Sequence, residues 1–392
     1  MIVPSGFRLG AAASGIKANG NDLGLIVADS DCVAAGVYTN NLVRASCIDQ
    51  NRGKTPTGKL RCVVVNSGNA NACTGDEGES NSMAMANSVA QKIGCNPDQV
   101  LVLSTGVIGQ QLPMNKINAG INSAHGALDN SPESIPKLAQ AFMTTDKFQK
   151  TVSRQFQIRG TDCQLLGIAK GAGMIGPNMA TMLGVFMLDA TLNPNQAQTI
   201  LTAAVNESFN RISVDGHTST NDAVLLLASG TSVDPVSDED LNFIQDVVTQ
   251  CSIDLAKMIP TDGEGASHLI EIQVSGAASD AAADRVARVV ASSNLVKTAI
   301  SGCDPNWGRI VSAVGMANIE LDPQAISLKL NGTTIFSTGS PVTFNEAAVS
   351  QSMVDEKVAL IELTIGGGGG SAVHWTSDLT HEYVTLNADY RT

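Results

Sequence analysis

Short apolar runs alternate with clusters of Asn, Gly and Asp along the first 65 residues of the chain. The runs cover residues 23–27, 32–37 and 60–65, and turn-forming residues flank each of them, which is typical of β-strands. Further apolar runs at 100–103, 184–188, 223–228 and 269–274 indicate buried strands. Asn331-Gly332 between two more apolar runs predicts a β-hairpin with a type I′ turn.

Apolar residues recur with helical spacing in several segments between these runs. After Pro194, one helix face carries Ala197, Ile200, Leu201, Ala204 and Val205. Ser237 and Asp240 predict the start of a long amphipathic helix that is broken near Pro260. Helices are also predicted at 81–93, 135–143 and 281–292. This mixture is compatible with an α+β class, but the local pattern does not define a topology.

The composition describes an ordinary folded protein. The chain has 392 residues, of which 43% are hydrophobic and 16% are charged, with no block of like charge. This length suits two interlocked domains. The net charge of -13 argues against nucleic acid and anionic membranes as partners, since both repel an acidic surface. Because the sequence shows neither a signal peptide nor a membrane span, a cytoplasmic location is the expectation.

The eight cysteines and five histidines show no metal-binding pattern. The chain contains no CxxC pair and no HExxH or HxH spacing. Several cysteines lie inside apolar runs, which indicates buried reduced thiols and argues against a disulfide framework. We therefore expect neither a bound metal nor a cofactor.

The glycine-rich segment 170–183 contains the most distinctive candidate chemistry. It reads Lys-Gly-Ala-Gly-Met-Ile-Gly-Pro-Asn-Met-Ala-Thr-Met-Leu and places Thr181 where an irregular loop enters an apolar strand. A threonine hydroxyl is activated when it belongs to the first residue of a chain, because its own α-amine then acts as the base. Cleavage between Ala180 and Thr181 would create that arrangement.

Two other interpretations of this segment start from the same residues. An ordinary strand threonine after a glycine-rich connection is favoured when the local chemistry is considered alone. A Walker phosphate loop is excluded, because in that motif the lysine follows the last glycine and here Lys170 precedes all three. The segment by itself therefore does not establish a nucleophile.

Seven other motifs accompany this segment. They are Asn-Ser-Gly-Asn-Ala-Asn-Ala-Cys-Thr-Gly at 66–75, Ser-Thr-Gly-Val-Ile-Gly at 104–109, Met-Thr-Thr-Asp at 143–146, Ser-Val-Asp-Gly-His-Thr-Ser-Thr-Asn-Asp at 213–222, Asp-Gly-Glu-Gly-Ala at 262–266, Cys-Asp-Pro-Asn-Trp-Gly-Arg at 303–309, and Tyr-Val-Thr-Leu-Asn at 383–387 with the terminal Thr392. Together they resemble, in the same order, signatures of the ornithine acetyltransferase (glutamate N-acetyltransferase) family of arginine biosynthesis. The chain departs from this family at Ala266-Ser267-His268, where the family usually has Ala-Thr-Lys.

The resemblance implies self-cleavage between Ala180 and Thr181, which would give an α chain of residues 1–180 and a β chain of residues 181–392. Thr181 would then be the nucleophile that takes the acetyl group from N-acetylornithine and passes it to glutamate. Thr105 and Gly106 resemble the family's oxyanion hole, a pair of hydrogen-bond donors that stabilises developing negative charge. Without the resemblance, a Thr-Gly pair at a strand end would be interpreted as a turn.

The resemblance also implies a set of substrate-binding residues, which are Thr144, Lys170, Thr181, Glu264, Asn387 and Thr392. Thr145 is the second choice for the position assigned to Thr144. The ammonium of Lys170 suits the α-carboxylate of an amino acid, and the carboxylate of Glu264 suits its amino group. On spacing alone, Glu264 would be a surface carboxylate and Thr145 would belong to the turn that ends a helix.

The implied fold is α+β, a layered αββα-type sandwich of the DmpA and ornithine acetyltransferase kind, autoprocessed into two chains that assemble as an α2β2 heterotetramer. The implied partners are small-molecule substrates, and acetyl-CoA is left open as a further acetyl donor. Two alternatives remain. One is an autoprocessed amidohydrolase or aminopeptidase with a Thr or Ser nucleophile, and the other is a non-catalytic binding protein that keeps the pocket.

Overall fold

The computed structural model describes residues 1–176, 182–234 and 237–389 of the chain. These residues form two compact units. The first contains Met1–Asn210 and His217–Met258, and the second contains Arg211–Gly216 together with Ile259 and the residues after it. The expected cleavage position between Ala180 and Thr181 lies outside the described residues, as does Thr392.

Within the described residues, the first unit is built around a mixed sheet of eight strands. The strands are β1 (Phe7–Ala12), β2 (Leu23–Tyr38), β3 (Thr57–Asn69), β4 (Val100–Val107), β5 (Lys150–Ile158), β6 (Thr161–Lys170), β7 (Leu183–Leu188) and β9 (Ala223–Ala228). The short strand β8 (Ile212–Ser213) lies between β7 and β9 in the sequence but belongs to the sheet of the second unit. Their order is β4-β3-β2-β9-β7-β6-β5, with β1 beside β2. The pairs β3/β4 and β7/β9 are parallel, and the other neighbours are antiparallel.

Helices cover this sheet. They are α1 (Ser46–Lys54), α2 (Gly75–Ile93), α3 (Met114–Gly126), α4 (Ser134–Phe142), α5 (Pro194–Glu207) and α6 (Asp238–Thr261), of which α6 belongs to this unit as far as Met258. Helices α3 and α4 pack on β1 and β2, and α5 packs on β2 and β9. Every residue of β7 and of β9 is buried, which explains why these strands are continuous apolar runs in the sequence.

The second unit has its own mixed sheet, which has seven strands in the part of the chain that is described. Besides β8 they are β10 (Leu269–Ala277), β11 (Ser327–Leu330), β12 (Thr333–Ser337), β13 (Ser340–Pro341), β14 (Val358–Thr364) and β15 (Gly370–Ser377), in the order β13-β12-β11-β14-β10-β15-β8. Its helices are α7 (Asp280–Ala291), α8 (Asn294–Ser301), α9 (Trp307–Val314), α10 (Glu346–Glu356) and α11 (His381–Asp389). Helix α7 packs on β10 and β15.

The α+β class, with mixed sheets layered against helices, is confirmed. The hairpin is confirmed as well, because Asn331 and Gly332 both have the positive φ angles, 45° and 76°, that a type I′ turn requires. The two predicted strands at 23–27 and 32–37 are instead one strand, β2. Its polar residues 29–31 are exposed where its pairing register with β3 shifts, so the strand passes through them without a break.

Candidate active site

Two residues with expected roles meet in the first unit. The buried side chain of Lys170 ends β6, and its Nζ donates to Oγ1 of Thr105 in β4 at 3.4 Å. A hydroxyl that accepts one hydrogen bond still has a hydrogen of its own to donate. Thr105 can therefore hold Lys170 and also donate to an oxyanion.

Gly106 follows Thr105 and is held against the neighbouring strand. Parallel pairing of β4 with β3 places Gly106 beside Gly68, and Gly106 has a φ of +134°. A Cβ atom at this position would lie 2.3 Å from the carbonyl carbon of Gly68 and 2.4 Å from the amide nitrogen of Asn69. Only glycine fits both this backbone angle and this close approach.

Asparagine side chains fix the strand end that carries Thr105. Asn66 accepts the hydroxyl hydrogen of Ser104 at 2.7 Å and donates to the carbonyl of Asn69 at 2.8 Å. Asn221 donates to the carbonyls of Ser104 and Ala70, at 2.8 and 2.7 Å. Because these amides are buried and satisfied, they hold the backbone of the two strand ends in one arrangement.

Asp146 connects two of the expected substrate-binding positions. Its Oδ1 accepts from Nζ of Lys150 and from the amide of Gly171, both at 2.7 Å, and its Oδ2 accepts from the amide of Thr144 at 3.0 Å. Thr144 and the residue after Lys170 are thus bound to one carboxylate. We did not single out Asp146 from the sequence, although it ends the Met-Thr-Thr-Asp motif.

Electrostatics around Asp146 favour its ionised form. Burial alone would raise the pKa of this carboxyl, but the ammoniums of Lys170 and Lys150 and the hydrogen bonds from Lys150 and Gly171 lower it to about 2. Lys17 lies close enough to Asp146 and Lys170 for both charges to act on its pKa. Its Nζ donates to the carbonyl of Met143 at 2.8 Å. Three ammoniums and the carboxylates of Asp146 and Asp22 therefore share this region, and the ammoniums suit an anionic ligand.

Asp222 is a second buried carboxyl that the sequence reasoning did not single out. Its Oδ1 accepts the amide hydrogen of Met182 at 3.0 Å, and Met182 is the residue that follows Thr181 in the sequence. Burial raises the pKa of Asp222 well above its usual value, although the Met182 hydrogen bond and the charge of Lys170 act in the other direction. Hydrogen bonds from the hydroxyls of Ser219 and Thr39 would also lower this pKa. The hydroxyl of Thr39 has only one hydrogen, however, and it donates this hydrogen to the carbonyl of Ser219 at 2.7 Å.

Two buried oxygens in this region lack a hydrogen-bond partner among the described residues. They are Oδ2 of Asp222 and Oγ of Ser67, which lies opposite Thr105 in the β3/β4 pairing. An unsatisfied buried polar group costs stability, and in native proteins it often marks a functional position. These two oxygens therefore add Asp222 and Ser67 to the candidate site of the first unit.

Glu264 and Asn387 are paired in the second unit. Nδ2 of Asn387 donates to Oε2 of Glu264 at 3.0 Å and to the carbonyl of Tyr383 at 3.1 Å. Gly265 has a φ of +70°, and a Cβ there would lie 2.4 Å from the amide nitrogen of Tyr383. Glycine at this position lets α11 approach the loop closely enough for the pair to form.

The described residues contain neither a metal-binding cluster nor a membrane-spanning helix. No group of three or more His, Cys, Asp or Glu side chains in residues 1–176, 182–234 and 237–389 is arranged to hold a metal ion. In the same residues, no helix combines the length and the apolar character that a membrane crossing needs. Ala180, Thr181 and Thr392 keep their expected roles as predictions, because they lie outside these ranges.

Comparison with known proteins identifies a family. A family model described as "ArgJ family" matches residues 8–392. The arginine biosynthesis bifunctional protein ArgJ of Rhodopirellula baltica is 48% identical over 396 residues, which cover 100% of this chain and 97% of that protein. The crystal structure of this bifunctional protein from Bacillus halodurans is 38% identical over 52% of this chain and 96% of its own, with a TM-score of 0.49. The Mycobacterium tuberculosis ornithine acetyltransferase, solved in complex with ornithine, is 36% identical over 45% of this chain and 94% of its own, with a TM-score of 0.41.

Proposed function

The chain belongs to the ArgJ family, and from this premise we propose that it is an acetyltransferase of arginine biosynthesis. The proposed reaction moves the acetyl group of N-acetylornithine to glutamate. It proceeds in two half-reactions through an acetyl ester on Thr181, and it requires neither a metal nor a cofactor. The R. baltica relative that matches over the full length of the chain is named as an arginine biosynthesis protein, which supports the pathway.

The observation that carries this proposal is the buried hydrogen bond between Lys170 and Thr105. It joins the ammonium expected to bind the α-carboxylate of the substrate to the hydroxyl expected to stabilise the oxyanion. An ammonium and a hydroxyl 3.4 Å apart can contact two groups of one small amino-acid derivative. Asp146 supports this arrangement by binding the amides of Gly171 and Thr144.

The proposed cycle begins with cleavage of the bond between Ala180 and Thr181. The new α-amine of Thr181 takes the proton of its own hydroxyl as the oxygen attacks the acetyl carbonyl of N-acetylornithine. Thr105 and the amide of Gly106 donate to the oxyanion, and ornithine leaves with the proton on its amine. The amine of glutamate then attacks the ester, so that N-acetylglutamate is released and the hydroxyl of Thr181 is restored.

The remaining assignments follow from the same premise. We propose that Glu264, Asn387 and Thr392 complete substrate binding, and that chains 1–180 and 181–392 assemble as an α2β2 heterotetramer in the cytoplasm. Acetyl-CoA is a second candidate acetyl donor. Assaying N-acetylglutamate formation from acetyl-CoA and glutamate, without N-acetylornithine, decides whether this protein has that activity.

The intact mass of the purified protein tests the first step. Wild type should give two fragments that meet between Ala180 and Thr181, whereas Thr181→Ala should give one full-length chain. A single uncut chain in wild type would overturn the mechanism.

A quenched reaction with N-acetylornithine alone tests the second step. The fragment that begins at Thr181 should gain the mass of one acetyl group and lose it when glutamate is added. Rapid loss of that group to water would instead indicate an amidohydrolase.

A further inference from the structure

A cluster of reactive side chains lies in the second unit and includes none of the residues proposed for acetyl transfer. Strands β10 and β15 are antiparallel, and Leu269 lies opposite Ser377. The residues just before Leu269 and just after Ser377 are therefore neighbours at one edge of the sheet. This register brings Ser267 and His268 to Asp378.

Asp378 binds both of these residues. Its Oδ1 accepts the backbone amides of Ser267 and His268, at 2.9 and 3.2 Å. Its Oδ2 accepts the hydroxyl hydrogen of Ser267 and lies 3.1 Å from Nδ1 of His268. His268 and Asp378 are 5% and 3% exposed, so the imidazole has little freedom to reorient.

These contacts select one tautomer of His268. Ser267 has a single hydroxyl hydrogen, which it donates to Asp378, so its oxygen can only accept from Nδ1 of His268 at 2.8 Å. Nδ1 therefore carries the proton and donates to Ser267 and Asp378. The lone pair of a neutral imidazole is then on Nε2, the nitrogen that points away from the carboxylate.

Cys303 occupies the place in front of that lone pair. It lies between α8 and α9, and its Sγ is 3.6 Å from Nε2 of His268. Five of the eight cysteines are buried as expected from the sequence, whereas Cys73 is exposed and Cys95 and Cys303 are partly exposed. Other cysteine sulfurs face backbone carbonyls, as Cys95 does towards the carbonyl of Asn96 at 3.4 Å.

We propose that Cys303, His268 and Asp378 form a thiol site that reacts with small organic disulfides. His268 accepts the proton of Cys303 as the sulfur attacks one sulfur of the disulfide. The disulfide bond breaks, a mixed disulfide forms on Cys303, and the leaving thiolate takes the proton back from His268. Asp378 holds the imidazole in the required tautomer.

A disulfide fits this cluster better than an acyl compound does. Acyl transfer develops charge on a carbonyl oxygen and needs oxyanion donors, whereas disulfide exchange needs only a nucleophilic sulfur and a place for the proton. The charged groups that act on the thiol are Lys357 and Asp378, and burial is the main cause that raises the pKa of Cys303. Because the thiol therefore keeps its proton near neutral pH, its reaction depends on a base such as His268.

Cys95 provides a control within the same molecule. It is also partly exposed, and burial is likewise the main cause that raises its pKa, but its sulfur contacts a carbonyl in place of an imidazole. Wild-type protein, in whichever state of cleavage it is purified, is treated with dithiodipyridine at neutral pH. Mass spectrometry of the cysteine-containing peptides measures the rate at which each thiol is modified. We expect Cys303 to form its mixed disulfide at least about tenfold faster than Cys95, a margin below the roughly hundred- to ten-thousandfold that general-base catalysis typically contributes.

His268→Asn tests the base directly, because the amide nitrogen of asparagine can take the place of Nδ1 and donate to Asp378, but asparagine does not accept a proton. The rate at Cys303 should fall to about that of Cys95, while the rate at Cys95 stays unchanged. If His268 only supported the fold, its replacement would expose Cys303 and raise the rate. Equal rates at Cys303 and Cys95 in wild type would overturn the proposal, and this comparison holds even if the variant does not fold.

Discussion

The ammonium of Lys150 and the carboxylate of Asp146 form an ion pair of 2.7 Å in which neither side chain is exposed to solvent. The same carboxylate binds the amides of Gly171 and Thr144. This ion pair therefore does more than neutralise two buried charges. It sets the distance between the loop that carries Thr144 and the strand end that carries Lys170.

Replacing Asp146 by Asn should destabilise the protein strongly. The change removes the carboxylate charge that pairs with the buried ammonium of Lys150, and breaking a buried pair in this way costs about 3 to 5 kcal/mol. Arg8 and Asp29 form a matched control, because their ion pair is also 2.7 Å long but its side chains are 44% and 54% exposed. Asp29→Asn should cost less than about 1 kcal/mol. Denaturant unfolding of both variants measures the difference, and equal losses would contradict the special role of the buried pair.

Acid should weaken the protein through Asp146 in a defined range. The pKa of this carboxyl is about 2 in the folded protein and about 3.9 in an unfolded chain. Because the folded value is the lower one, its contribution is present above pH 4 and is lost as the pH falls from about 4 to about 2. The free energy of unfolding of wild type minus that of Asp146→Asn should shrink over this interval. A constant difference would show that folding does not lower the pKa of Asp146.

Thr105→Val should slow acetyl transfer without removing the strand. Valine has the shape of threonine and suits β4, but it cannot donate a hydrogen bond. Loss of one oxyanion donor lowers kcat by about a hundred- to a thousandfold. Thr105→Ser keeps the hydroxyl and should retain most of the rate. Self-cleavage is measured separately by intact mass, so that the rate of acetyl transfer refers only to processed enzyme. A Thr105→Val variant as fast as wild type would show that Thr105 does not belong to the oxyanion hole.

Lys170→Met should abolish the preference for a substrate with a free α-carboxylate. The informative comparison is N-acetylornithine against its α-amide. Wild type should favour the acid by about ten- to a hundredfold in kcat/KM, since a charge-assisted hydrogen bond contributes about 1.5 to 3 kcal/mol. The variant should treat the two compounds alike. If the variant kept the full preference, another group would have to bind the carboxylate.

The hydrogen bond from Met182 to Asp222 predicts an effect on self-cleavage. Asp222→Ala removes the acceptor for the amide that follows Thr181, so we expect slower cleavage after synthesis. Asp222→Asn is the matched control, because its carbonyl oxygen can still accept that amide hydrogen. A time course of intact mass compares the two variants. Cleavage of the Ala variant at the wild-type rate would mean that this hydrogen bond does not position the segment.

The elements with strong local patterns were predicted well. Helix α5 begins at Pro194 and buries the five residues expected to form its apolar face, and the Asn331-Gly332 turn has the predicted backbone angles. Helices α1, α3, α8, α9, α10 and α11 were not predicted. Apart from α3 they have 8 to 11 residues, and α11 has no buried residue, so they do not offer the long apolar repeat on which sequence reasoning depends.

The sequence by itself determined the family, because its motifs are strings of neighbouring residues that can be recognised in the sequence in the same order as in the family. It also determined the α+β class, because the spacing of apolar residues over a few positions reflects the period of helices and strands. Only the tertiary structure decided which polar residues share a partner. Asp146 meets Gly171 across 25 positions of the chain, and Asp378 meets His268 across 110. Such contacts depend on how distant strands pair and in which register, and no local period encodes that pairing.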